Sequence, residues 1–270
     1  MSSRFNLLSV AVFLSLGMLL GNCYFNPAVQ MVVNPEIEEN TNPASKLGIA
    51  AALTGSRTVN ITGQVVNANG AAVANGALTI LSQINPSPRL TSTTSLNEGG
   101  RFYLTLSLGE TTFRVEQSGS VLFTFTISIP SPGVVSVVAS SVAGAGAINM
   151  EFYSEGSIPN YFDIVSTSPI SEGTTFEIWP TYLYITFSEN LDVPGDKQTF
   201  LDANILTYPT KTLDGEASEI TNNVLTIYNA SAGSIGPNIF IFGSGIKSAA
   251  GKTLKPRTLT FLCQPSCSGS

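Results

Sequence analysis

The stretch Val59-Asn60-Ile61-Thr62-Gly63-Gln64-Val65-Val66-Asn67-Ala68-Asn69-Gly70 decides the fold class. Its first residues alternate apolar and polar, the period-two pattern of a strand with one buried face. The run stops at Asn69-Gly70, where both residue types tolerate positive φ. Asn-Gly after such a run is a strong hairpin signal. The same grammar repeats downstream. Ala77-Leu78-Thr79-Ile80-Leu81 reads as the next strand, and Asn85 to Pro88 carries two prolines that cannot sit in a central strand. After the turn Asn97-Glu98-Gly99-Gly100, the strand Arg101-Phe102-Tyr103-Leu104-Thr105-Leu106 puts Phe102, Leu104 and Leu106 on one face. Thr112 to Glu116 and Val121 to Ile127 follow, giving an expected meander of about seven strands.

Composition agrees with an all-β chain. Only 11% of the 270 residues are charged, against roughly 25% in ordinary globular proteins. Gly, Ser, Thr, Asn and Pro fill the gap between short apolar runs, as many turns require. Net charge is −6, and no cluster of Lys or Arg forms the electrostatic footprint of a nucleic-acid binder. Histidine is absent, which excludes Ser-His-Asp and Cys-His triads and the commonest zinc ligand. No catalytic group, no metal site and no cofactor is expected.

The N-terminus has a different texture. Arg4 is the one charge before Cys23, and Phe5 to Leu20 is apolar except for Asn6, Ser9 and Ser15. That run is shorter than the ~20 residues of a spanning helix. It fits a signal peptide, residues 1–22, processed between Asn22 and Cys23. The alternatives are an ordinary secretory signal with an incidental cysteine, or an uncleaved anchor. Leu19-Leu20-Gly21-Asn22-Cys23 resembles the lipobox of bacterial lipoproteins, and with Asn22 at −1 it is similar to the looser boxes of spirochaetal lipoproteins. The resemblance implies a thioether-linked diacylglycerol on Cys23 and an acylated amino terminus. It therefore implies a lipid bilayer as first partner. Residues 23–56 carry Pro27, Pro35, Pro43 and the acidic Glu36, Glu38 and Glu39, and they read as a flexible tether.

Two further resemblances follow. Ile61-Thr62-Gly63-Gln64-Val65-Val66, Asn69-Gly70, Val73, Asn75-Gly76-Ala77, and Gly100-Arg101-Phe102 with Phe113-Arg114-Val115 occur in an order similar to carboxypeptidase-regulatory-like, transthyretin-type domains. That implies a structural β-sandwich over residues 57–140. Residues 141–160, beginning in a charge-free Ala/Ser/Gly run, read as a linker, although Ile148 to Tyr153 could be a short strand. Beyond it, Ser168-Pro169, then Ile185-Thr186-Phe187-Ser188-Glu189-Asn190-Leu191-Asp192, then Gly245-Ile246-Lys247-Ser248-Ala249-Ala250-Gly251 resemble the bacterial Ig-like domain of S-layer proteins. That implies an Ig-like sandwich over residues 161–270, serving as a spacer or interaction module. Its expected strands are 162–167, 182–187, 204–208, 223–228, 238–242 and 257–262.

Three groups are candidate sites. Glu189 and Asp192 could serve glycoside hydrolysis, or could join Asp196 or Asp202 in a calcium site, but no EF-hand spacing is present. Cys263 and Cys267 are candidates for a disulfide pinning the C-terminus, the alternative being two free thiols. Trp179, Tyr182 and Tyr184 could bind a sugar or a protein, with core packing the commoner use.

The resulting expectation is an all-β protein with two tandem β-sandwich domains, Ig-like and prealbumin-like, behind a lipoprotein signal peptide and tether. It is a non-enzymatic lipoprotein of the cell envelope, expected at the outer membrane, facing outward or toward the periplasm. Its modules serve adhesion or binding of a host or envelope macromolecule. The alternatives are a structural spacer and a carbohydrate-binding accessory.

Overall fold

The computed structural model describes residues 58–84, 93–229 and 233–265. The chain divides into two units, Met1–Gly55 and Ser56–Ser270, and every described residue belongs to the second. The signal peptide, Asn22, Cys23, the tether and Cys267 lie outside the described residues.

The chain is all-β, as the alternating runs require. The first eight strands are β1 (Thr58–Val66), β2 (Ala77–Gln83), β3 (Thr93–Ser95), β4 (Arg101–Ser107), β5 (Gly109–Gln117), β6 (Ser120–Ser131), β7 (Val134–Ser140) and β8 (Gly146–Tyr153). They form two facing sheets, of order β4-β1-β8 and β3-β2-β5-β6-β7. Ile61, Val65, Phe102, Leu106, Phe113, Phe125 and Ile127 fill the space between them. Gly63 is needed there, because a Cβ at this position would lie 2.8 Å from Met150 Cγ and Phe102 Cζ.

Two expectations change. The turn at Asn67–Gly70 exists, with Gly70 at φ +70° and its N–H donating to Asn67 O. It closes a minimal hairpin, with an antiparallel bridge between Val66 and Ala72 and Val73 N–H donating to Val65 O at 2.9 Å. The reversal does not extend into a β1–β2 pair, since β1 pairs with β4 and β8 and the chain crosses to the other sheet to form β2. Turn chemistry sets a local reversal, whereas the pairing is chosen by which edge buries the apolar face. The supposed linker 141–160 contains β8, which pairs antiparallel with β1 and completes the first sandwich. Its Ala145, Gly146 and Ala147 are buried. Small residues serve close packing as well as they serve a linker, so composition alone misplaces this boundary.

The second sandwich contains β9 (Tyr161–Phe162), β10 (Ile164–Ser168), β11 (Thr175–Phe176), β12 (Tyr182–Phe187), α1 (Lys197–Asn204) and β13 (Ile205–Tyr208). It continues with β14 (Leu213–Thr221), β15 (Val224–Asn229), β16 (Gly236–Phe242), β17 (Thr253–Leu254) and β18 (Arg257–Cys263). One sheet has the order β10-β12-β15-β14 and the other β11-β18-β16-β13, with β9 and β17 paired at the side. Its core includes Leu183, Ile185, Phe187, Leu225, Ile227, Phe240, Phe242, Leu259 and Phe261.

The two sandwiches meet end to end through buried polar groups. Arg101 of β4 donates through Nε to Asp163 Oδ2 at 2.8 Å, and its Nη2 pairs with the other carboxylate oxygen. Both side chains are almost fully buried. Burial disfavours the Arg101 cation, but the hydrogen bond and charge of Asp163 outweigh it and hold its pKa above the usual value. Arg257 of β18 reaches the opposite way. It donates to Ile164 O at 2.9 Å and Gln64 Oε1 at 3.2 Å, and it also binds Gly70 O and Glu172. Gln64 Nε2 in turn donates to Gly99 O at 2.8 Å and Ile164 O at 2.7 Å. Ala72 N–H donates to Val165 O at 2.7 Å, and Lys255 pairs with Glu151. Each sandwich thus sends one arginine into the other, and one glutamine bridges backbone carbonyls on both sides. Such a lattice of directed bonds permits few relative orientations.

Candidate functional site

The register places the joint at the Val66 end of β1, since Gln64 and Val65 lie beside it. Thr58, where the chain comes in from the N-terminal side, lies at the opposite end of that strand. In the second sandwich Phe242 and Arg257 mark the joint end of paired strands β16 and β18, and Gly236 and Cys263 mark the far end. The chain therefore comes in at one end of the described body, and the tip of the second sandwich lies at the other.

The outer face of the β11-β18-β16-β13 sheet carries an apolar strip along β13 and β16. Leu206 lies opposite Ile241, and Tyr208 opposite Ile239. Ile241 and Ile239 lie opposite Thr258 and Thr260, and Pro237 opposite Leu262. Leu206 is 63% exposed, Tyr208 67% and Ile241 41%. The outward positions of β13, β16 and β18 carry no charged residue. Cross-strand neighbours are about 4.5–5.5 Å apart, so these side chains form one continuous surface. Exposed apolar residues scattered singly are ordinary, whereas these are neighbours in one patch. Every second residue of β13 should face water and be polar, whereas Leu206 and Tyr208 are not. The signal was present in the sequence, since Ile205-Leu206 and Ile239-Phe240-Ile241-Phe242 are apolar at consecutive positions and so on both faces.

The opposite sheet presents tyrosines. Tyr182 and Tyr228 pair across β12 and β15, with ring centroids 5.3 Å apart, and Tyr184 is exposed beside them. Trp179 is not available to a ligand. It is 6% exposed and packs on Phe176 and Phe240, with Lys211 Nζ 4.4 Å from its ring centroid. Burial lowers the Lys211 pKa.

The carboxylates considered for catalysis or calcium are dispersed. Glu189 pairs with Lys252. Asp196 caps α1, accepting from Thr199 N–H at 3.0 Å, and these bonds lower its pKa. Asp202 accepts from Gln198 Nε2 at 3.0 Å, and Asp192 is exposed. Among the described residues no group of three or more His, Cys, Asp or Glu side chains could hold a metal. Cys263, at the end of β18, is buried and disulfide-bonded. No helix among the described residues is long and apolar enough to cross a membrane.

No protein-family model matches this chain, and no curated protein matches it. Among solved structures, a similarity is found to the C-terminal 282-residue fragment of intimin, crystallised with the intimin-binding domain of the translocated intimin receptor. The two are 12% identical over 78% of this chain and 60% of that one, with a TM-score of 0.17. At that TM-score the two chains do not superpose as one fold.

Proposed function

We propose that this protein is a non-catalytic, lipid-anchored protein of the cell envelope that presents its second sandwich to a host or envelope macromolecule. The observation that carries the reading is the apolar strip of β13 and β16, with Leu206, Tyr208 and Ile241 exposed, lying on the sandwich farther along the chain from Cys23. The joint supports it, because directed bonds on both sides keep that face in a set orientation to the point where the chain comes in. Acylation of Cys23 supplies the anchor, which the sequence around it supports. Of the carboxylates weighed as a catalytic pair, Glu189 is held by Lys252, which suits a binding module better than an enzyme. A second reading is carbohydrate binding on the other sheet, favoured by the exposed Tyr182 and Tyr184 beside the half-buried Tyr228.

The double variant Leu206→Ser/Tyr208→Ser separates these readings. Binding of the full chain to immobilised host matrix or to isolated envelope is expected to fall roughly 10- to 30-fold, the loss typical of truncated central contacts. Its unfolding midpoint should stay near that of the unaltered chain, because both side chains are mostly exposed. Equal binding by the variant contradicts the assignment of this face. Glycan binding that survives the double variant but is lost on Tyr184→Ala would establish the second reading instead.

A further inference from the structure

The first sandwich has an open edge that the display function does not use. β7 pairs with β6 and, among the described residues, with no other strand. Its residues are Val134-Val135-Ser136-Val137-Val138-Ala139-Ser140, without a charge or a proline. Val135 and Val137 pack on the core, while Val134 (52%) and Val138 (53%) stand exposed on the outer face. Folded proteins usually guard such an edge with a lysine, a proline or a bulge. Here the register against β6 shifts twice, once so that Val138 is bulged and once between Ser128 and Ser131 on the β6 side, and the strand itself carries no charge or proline. The strand also reads the same in both directions about Ser136, as Val-Val-Ser-Val-Val.

We propose that the β7 edge is a self-recognition surface that pairs antiparallel with β7 of a second copy of this chain, about a two-fold axis at Ser136. The palindrome is what selects a second copy over an unrelated strand. Antiparallel pairing about Ser136 sets Val135 opposite Val137 of the other copy, joining two inner faces. It brings Val134 beside the bulged Val138 of the other copy on the outer face, covering the two valines that water now touches. Each copy gives and receives the same contacts, as an isologous interface requires. The protein carries a net charge of −6, so two copies repel overall. The neutral edge is a place where that repulsion is least.

The geometry has a directional consequence. β7 runs from the end of the sandwich that holds Thr58 toward the joint, since Val134 follows the β6 end near Gly109, and Gly109 follows Ser107, the partner of Thr58. Antiparallel pairing therefore sets the two Thr58 ends on opposite sides of the dimer. On the proposed anchoring through Cys23, this arrangement allows copies from two facing surfaces to be joined.

Single cysteines read the register. At the axis, Ser136 of the two copies has Cα atoms about 4.5–5.5 Å apart, within disulfide reach. Val134 lies about 14 Å from its own counterpart, at ~3.4 Å per residue over four positions, and out of reach. The full chain in detergent carrying Ser136→Cys is expected to form a disulfide-linked dimer under mild oxidation. Val134→Cys should not, and adding Val138→Lys should abolish the Ser136→Cys dimer. A Ser136→Cys chain that stays monomeric overturns the proposal, as does equal crosslinking of Val134→Cys. Crosslinking in detergent does not depend on acylation, so its failure is distinct from failure of the anchor. The directional part is read with the acylated chain in phosphatidylethanolamine/phosphatidylglycerol vesicles. Vesicles should cluster with the unaltered chain and disperse with Val138→Lys, and no clustering overturns pairing between facing surfaces.

Discussion

Replacing Asp163 by Ala is expected to destabilise the full chain by about 3–5 kcal/mol, the cost of breaking a buried ion pair by removing one partner. The substitution leaves Arg101 buried, with Nε and Nη2 stripped of their acceptors and only Thr62 Oγ1 at 3.3 Å from Nη1. The guanidinium cannot shed its charge, so it must either stay desolvated or draw water into the joint. Opening the joint relieves it, and the first consequence should be loss of coupling between the sandwiches. Urea unfolding followed by tryptophan fluorescence reports the second sandwich alone, through Trp179. Circular dichroism reports both. The two probes should coincide for the unaltered chain and separate for Asp163→Ala. The double change Arg101→Met/Asp163→Leu should recover most of the loss, since paired apolar replacement of a buried ion pair is often neutral. A cost below about 1 kcal/mol would show that the sandwiches do not depend on this pair.

Replacing Cys23 by Ser is expected to have the larger effect, moving the protein from the membrane fraction to the soluble fraction. Each methylene of an attached chain contributes about 0.8 kcal/mol, and two chains suffice for stable anchoring. Phase separation in a cloud-point detergent measures it directly. The unaltered chain should partition into the detergent phase and incorporate labelled palmitate, and Cys23→Ser should do neither. Retention of Cys23→Ser in washed membranes would mean that Phe5 to Leu20 remains attached as an uncleaved anchor. The charge-poor, acidic body strengthens the test, because it has no basic cluster with which to hold an anionic bilayer.

Much of the fold was legible because strands with one buried face write their register into the sequence. Arg101 to Leu106, Tyr182 to Phe187 and Arg257 to Leu262 are each close to an observed strand. What escaped was carried by contacts distant in sequence or by broken periodicity. β14 carries Asp214, Glu216 and Glu219, and its register shifts between Asp214 and Glu219. The bulge destroys the alternation that would have announced it. Helix α1 has eight residues, too few to be stable alone. It is held by Gln198, whose amide donates to Leu213 O at 3.0 Å and accepts from Gly215 N–H at 2.7 Å. Gly215 permits this approach, since a Cβ there would lie 2.5 Å from Gln198 N.

The joint and the apolar face show the same division. Arg101 and Asp163 are 62 residues apart, and no local pattern marks them as partners. Trp179 stands out in the sequence as an aromatic before a strand, but its neighbours Phe176 and Phe240 come from different strands and enclose it. The surface formed by Leu206, Tyr208 and Ile241 was visible only as apolar runs. Without the sheet order, such runs read equally well as a doubly buried core.

Limited proteolysis of intact cells tests the central claim most directly, that a lipid anchor holds a jointed pair of sandwiches on display. Protease added outside should cut within residues 23–56 and release one fragment containing both sandwiches. Complete protection in intact cells, with cleavage restored on lysis, would contradict outward display, and release of two separate sandwiches would contradict the joint.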